Sequence, residues 1–168
     1  MRSTRGFTLI EILVALTIIS FVVTGISLLY LSGYRSYVRE RDRIEVQENL
    51  RIAASRMVSK IRAARPETIA PENLDEVPAS HIEFLLSSSG KSSGYRLDKK
   101  VGESSGEIEE KVEGASGFTW LPITAGVVTD LLFAMDGNRV TIIIEGEKGK
   151  SGKVRLMTEV NLRVGENG

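Results

Sequence analysis

The chain has no cysteine, and its 168 residues hold a single histidine, a single tryptophan and four prolines. Without cysteine no disulfide can brace the fold, so packing alone must stabilise it. One histidine, His81, with no thiol and no Gly-x-Ser-x-Gly sequence leaves no nucleophile–base pair to assemble. No glycine-rich loop spaced to cradle a phosphate occurs. Acids and bases balance at 22 each, so no net field draws nucleic acid, and the pair Lys99-Lys100 is too small a patch to change that. No proline precedes Pro66. Charge is also missing from one long run: between Phe7 and Leu31 only Glu11 carries it.

That run is the organising stretch of the chain. At about 1.5 Å rise per residue, Phe7 to Leu31 makes a helix of roughly 37 Å, enough to cross a hydrocarbon core of about 30 Å with some tilt. Its polar residues (Thr8, Thr17, Ser20, Thr24, Ser27, Tyr30) are small or amphipathic. A cleaved secretory signal would have a shorter apolar region, of about 7 to 15 residues, followed by a small-x-small cleavage site. The run is too long, and no such site follows. A plain membrane anchor fits the length but gives no reason for an acid near the start of the span. A carboxylate there is costly and marks a functional position whose partner has to be named. Near a helix N-terminus the macrodipole favours it.

The residues that name the partner are Arg5-Gly6-Phe7-Thr8-Leu9-Ile10-Glu11 and the unbroken apolar sequence after them. A short basic leader ending in Gly, then a hydrophobic residue, then Glu four positions on, resembles the processing site of type IV prepilins. The resemblance is close from Arg5 to about Ala15. It implies that prepilin peptidase cuts between Gly6 and Phe7 on the cytoplasmic side and methylates the new Phe7 amine. It implies that Glu11 meets the Phe7 amine of a neighbouring subunit in a filament, a pair better read as setting register than as adding stability. It also implies other pilin or pseudopilin subunits, an inner-membrane assembly platform and the lipid bilayer as partners. The family's helix usually carries a proline in its apolar half, and here Leu28 stands about where it is sought. Charge does not fix the orientation unaided: Arg2 and Arg5 precede the span, while Arg35, Arg39, Arg41 and Arg43 follow it.

Beyond the span, Ser32 to Arg65 has no proline, and Val46, Leu50, Ala53, Ala54, Met57, Ile61 and Ala64 recur at helical spacing. Pro66 ends the pattern, since the residue before a proline leaves the helical region. The expected helix, Thr8 to Ala64, measures roughly 85 Å. Its stripe is expected to pack on the protein's own head. Tyr34, Tyr37 and Val38 are candidates for contact between subunits, and Tyr30, Tyr34 and Tyr37 equally for an interfacial aromatic belt. Pro66 to Pro78 reads as loop. His81–Leu86 and Tyr95–Asp98 read as strands around a Ser/Gly turn, Ser87 to Gly94. Glu107–Val112 reads as a weak, charged strand or an exposed loop edge, and Phe118–Leu121 as a short strand. Val127–Met135 and Arg139–Glu145 flank the hairpin turn Asp136-Gly137-Asn138. After the turn Gly146–Gly152, Lys153–Val164 alternates as a half-buried strand.

The expected architecture is α+β, a long N-terminal helix against an antiparallel β head, as in type IV pilin-like proteins. Its division is leader 1–6, membrane and filament-core helix 7–31, amphipathic continuation 32–65 and β-rich head 66–168. The site residues are Gly6 and Phe7 for processing and Glu11 for assembly, with no catalytic residue, cofactor or metal. His81 reads as structural. Asp98, Asp130 and Asp136 lack the spacing of a calcium loop. The expected role is a minor pilin or pseudopilin of a type IV pilus, a type II secretion system or a competence system. Two other classes remain open: an unprocessed single-pass anchored extracytoplasmic binding protein, and a membrane-tethered enzyme.

Overall fold

The computed structural model describes Gly6 and residues 8–71, 79–114 and 117–163. Phe7, the leader residues 1–5, the Pro78 end of the loop and Val164 lie outside the described residues. The chain divides into two units, Met1–Arg39 and Glu40–Gly168. One helix, α1 (Leu9–Arg62), contributes its first part to the former and its second part to the latter. It passes Gly25, Leu28 and Gly33 without a break, as the absence of proline allows.

In the second unit the apolar stripe of α1 is buried as its spacing predicts. Val46, Leu50, Ala53, Met57 and Ile61 are fully buried, and so is Ala64 just past the helix end. Pro66–Thr68 forms one 3₁₀ turn, and antiparallel strands follow. The strands β1 (His81–Leu85), β2 (Ser92–Asp98), β3 (Glu107–Gly114) and β4 (Gly117–Pro122) form a sheet in that order. The strands β5 (Val128–Asp136), β6 (Arg139–Gly146) and β7 (Val154–Asn161) form a second. The architecture is therefore α+β, with two antiparallel sheets, not one. Bridges at Ala79–Phe133 and Gly106–Val128 join them.

Alternation decides which faces turn inward. Ile82, Phe84, Tyr95 and Ile108 of the first sheet, and Leu131, Phe133, Val140, Ile142, Ile144 and Val160 of the second, share one apolar core with the α1 stripe. Burying a side chain of this size contributes about 1.5–3 kcal/mol. Gly146 at the end of β6 permits the close approach to the helix: a Cβ there would lie 2.9 Å from Val46 and 3.2 Å from Leu50. Gly137, first of the two turn residues between β5 and β6, has φ +56°, as the first position of a II′ turn requires.

The structure corrects two expectations. Of the two readings of residues 107–112 the strand holds and the exposed loop edge does not: β3 runs Glu107–Gly114 and pairs on both sides, with β2 and with β4. Its charges find partners across the sheet and on α1. Arg96 bonds Glu109 at 2.8 Å, Lys111 bonds Glu83 at 2.6 Å, and Lys60 of α1 pairs with Glu110. The Ser/Gly turn is also shorter than expected, because Ser92, Ser93 and Gly94 already belong to β2.

Candidate functional site

The N-terminal end of α1 is built from Thr8 and Glu11. Thr8 precedes the first helical residue and its carbonyl accepts the Ile12 amide at 3.3 Å. Its hydroxyl accepts the Glu11 amide at 3.4 Å and donates to Glu11 Oε2 at 2.8 Å. The Thr8 amide donates to the same oxygen at 2.9 Å. This is a capping box, Thr-x-x-Glu, which satisfies two amides that a helix start otherwise leaves without partners. Beside the dipole and the pairing expected of Glu11, its three-residue spacing from Thr8 was the signal in the sequence for this box.

The helix that follows meets the demand a membrane makes of polar groups. Four hydroxyls donate to the carbonyl four residues back: Thr17 to Leu13 at 2.8 Å, Ser20 to Leu16 at 2.7 Å, Thr24 to Ser20 at 2.8 Å and Ser27 to Val23 at 2.8 Å. None of these four hydroxyls has to find an outside partner. The apolar side chains are exposed on every face, Leu9, Ile18, Phe21, Val22, Leu28 and Leu29 among them. The helix is long and apolar enough to span a membrane. Glu11 lies beside Ile10, Val14, Ala15 and Ile18, which with it line a shallow depression of about 300 Å³. Tyr30, Tyr34 and Tyr37 are exposed, and Val38 is half-buried. Of the predicted site residues, then, Glu11 is tied to Thr8, Gly6 is exposed just before the helix, and Phe7 lies outside the described residues.

Among the described residues of the head the candidate side chains stand apart. His81 is exposed at the start of β1. Asp98 ends β2, Asp136 ends β5, and Asp130 accepts the Leu131 amide at 2.9 Å. Among the described residues no group of three or more His, Asp or Glu side chains could hold a metal. Tyr95 is the most perturbed group. Burial, with the nearby Glu110 carboxylate second, raises its phenol well above the ordinary range, and Arg56 opposes the shift. Its hydroxyl reaches only the Arg56 carbonyl, at 3.5 Å. Its ring packs against Phe84 with centroids 6.4 Å apart, so it is a core residue.

A capped helix with an apolar N-terminal half and an antiparallel head define an α+β protein with an N-terminal membrane anchor. Residues 1–27 match the family model described as the prokaryotic N-terminal methylation motif. The chain carries, in other words, the prepilin-type signal of type IV pilin-like proteins, a family of structural subunits. The match ends before the head. Comparison with curated proteins and with solved structures finds no significant match to either.

Proposed function

We propose that the protein is a minor pilin or pseudopilin, a structural filament subunit and not an enzyme. Prepilin peptidase cleaves it between Gly6 and Phe7 and methylates the Phe7 amine. The single observation that carries the reading is the match of residues 1–27 to the N-terminal methylation motif. The capped helix start supports it, because Glu11 is held at the end of α1 where a new amine would arise after cleavage. In this reading the mature spine starts at Phe7, and the membrane and filament-core part runs to Leu31. Residues 32–65 continue it, and 66–168 form an extracytoplasmic head on a single-pass inner-membrane protein. Its partners are the peptidase, other pilin or pseudopilin subunits, the assembly platform and the bilayer.

Glu11 accepts the amine of the neighbouring subunit's Phe7 during assembly. A paired acid and amine in hydrocarbon offset charges that are each costly alone, and so fix the axial step between subunits. A subunit with Glu11 packs below another one. It is not a tip subunit that lacks the acid.

The test is intact mass and N-terminal sequencing of the membrane-extracted protein, made with and without co-expressed prepilin peptidase. A chain beginning at methylated Phe7 only when the peptidase is present is the expected result. A chain that keeps Met1 or Arg2 beside an active peptidase refutes processing and leaves an unprocessed anchored binding protein.

A further inference from the structure

The sheet β5-β6-β7 ends at β7, and among the described residues no strand pairs with the outer edge of β7. Between that edge and α1 runs an open groove of about 1030 Å³. Ile44, Leu50 and Ile52 of α1 and Val154 and Leu156 of β7 line it. It continues toward the helix end as a second hollow of about 570 Å³ between Val58 and Met157, sharing Arg51, Ser55 and Leu156 with the first. The walls are apolar while the rim is basic: Arg51, Arg56, Arg62 and Arg155 border the two hollows, with Glu48 the single acid.

Some cations of the head are held in ion pairs, and three of the four at this rim are not. Lys60, Arg96, Lys111, Arg139 and Lys148 are each paired with a carboxylate. The acids Asp42 and Glu45 of α1 are taken up by the β6–β7 loop, through the Lys150 amide and the Lys148 side chain. Arg51, Arg56 and Arg62 form no ion pair among the described residues, and all three are exposed. Arg155 is held only at 3.6 Å, by Glu145.

We propose that this groove docks an extended, acidic segment of a neighbouring filament subunit, added as a fourth strand beside β7. The free edge supplies main-chain donors and acceptors, and alternate side chains of the incoming strand enter the apolar hollow. Carboxylates on the other face of that strand meet the arginine rim, which sets its register and excludes basic segments. A lipid headgroup would satisfy the arginines but would leave the strand edge and the apolar walls unused. The proposal rests on the reading of the chain as a filament subunit only for the source of the segment.

The test uses the full chain in nonionic detergent and a fluorescein-labelled peptide alternating Val with Glu. A second peptide has Lys in place of Glu, and vesicles of phosphatidylglycerol serve as the lipid probe. Saturable binding of the acidic peptide alone is expected, together with slowed amide exchange across Val154–Asn161. The double variant R51E/R62E, exposed at both positions, is expected to weaken that binding by about tenfold or more. The milder R51Q/R62Q variant should fall between the two. Equal binding of the Lys peptide, indifference to charge reversal, or unchanged exchange in β7 each overturns the proposal. So does uptake of the vesicles through the same arginines without peptide binding. If the chain proves unprocessed but binds the acidic peptide as expected, the groove stands and only the source of its occupant changes.

Discussion

Up to Arg39, the apolar side chains of α1 surround the helix; from Glu40 on, they narrow to a single stripe. Ile18 and Ile61 lie on the same helix, yet Ile18 is 58% exposed and Ile61 is fully buried. The second part of the helix finds its apolar partner within its own chain, and the first finds none there. A lipid bilayer or other subunits must supply it, since so much exposed apolar surface is not stable in water. One secondary structure thus serves two solvents, and the pattern of charge around the axis separates them.

The comparison can be broken at Glu11 with the largest effect. E11A is expected to reduce filament incorporation to background in pelleting of sheared filaments, while the denaturant midpoint of the head, followed by Trp120 emission, stays at the wild-type value. Movement of that midpoint would mean that the acid serves the fold of the head. Next in size is I61A, which opens a cavity in the core and is expected to cost about 2–5 kcal/mol by the same measurement. Its counterpart I18A, in the exposed part, is expected to change head unfolding by less than about 0.5 kcal/mol. Equal costs at the two positions would erase the contrast.

A smaller effect concerns alkaline pH. Tyr95 has a folded-state pKa raised by burial. The unfolded chain therefore ionises first, and stability present below about pH 10 is lost as pH rises above it. Replacing Tyr95 by Phe is expected to flatten that loss. At neutral pH it should cost about 1 kcal/mol or less, since one long hydrogen bond disappears. An alkaline limb that persists in Y95F would assign the loss to another group.

The stripe from Val46 to Ala64 was legible because helical periodicity and burial are the same pattern seen in one dimension and in three. The hairpin at Gly137-Asn138 was legible because a turn is a local event. β3 was not. Glu109, Glu110 and Lys111 read as solvated charges until Arg96, Lys60 and Glu83 are brought beside them, and those partners lie on other elements. At the N-terminus the methylation motif was legible, and residues 1–27 match it. The capping role of Thr8 was also written there, in its spacing from Glu11. The groove beside β7 was beyond reach, because it depends on which strand ends a sheet.

The hydroxyls of Thr17, Ser20, Thr24 and Ser27 have a further consequence. Because each proton is committed to the helix itself, none of these residues prefers one direction around the axis. That length of helix has a depth but no azimuth: turned against a neighbour, it loses no hydrogen bond. Glu11, the one charged group in the span, breaks this rotational indifference. On the proposed reading, this single carboxylate at one end would therefore set the angle at which the helix comes to rest against its neighbour.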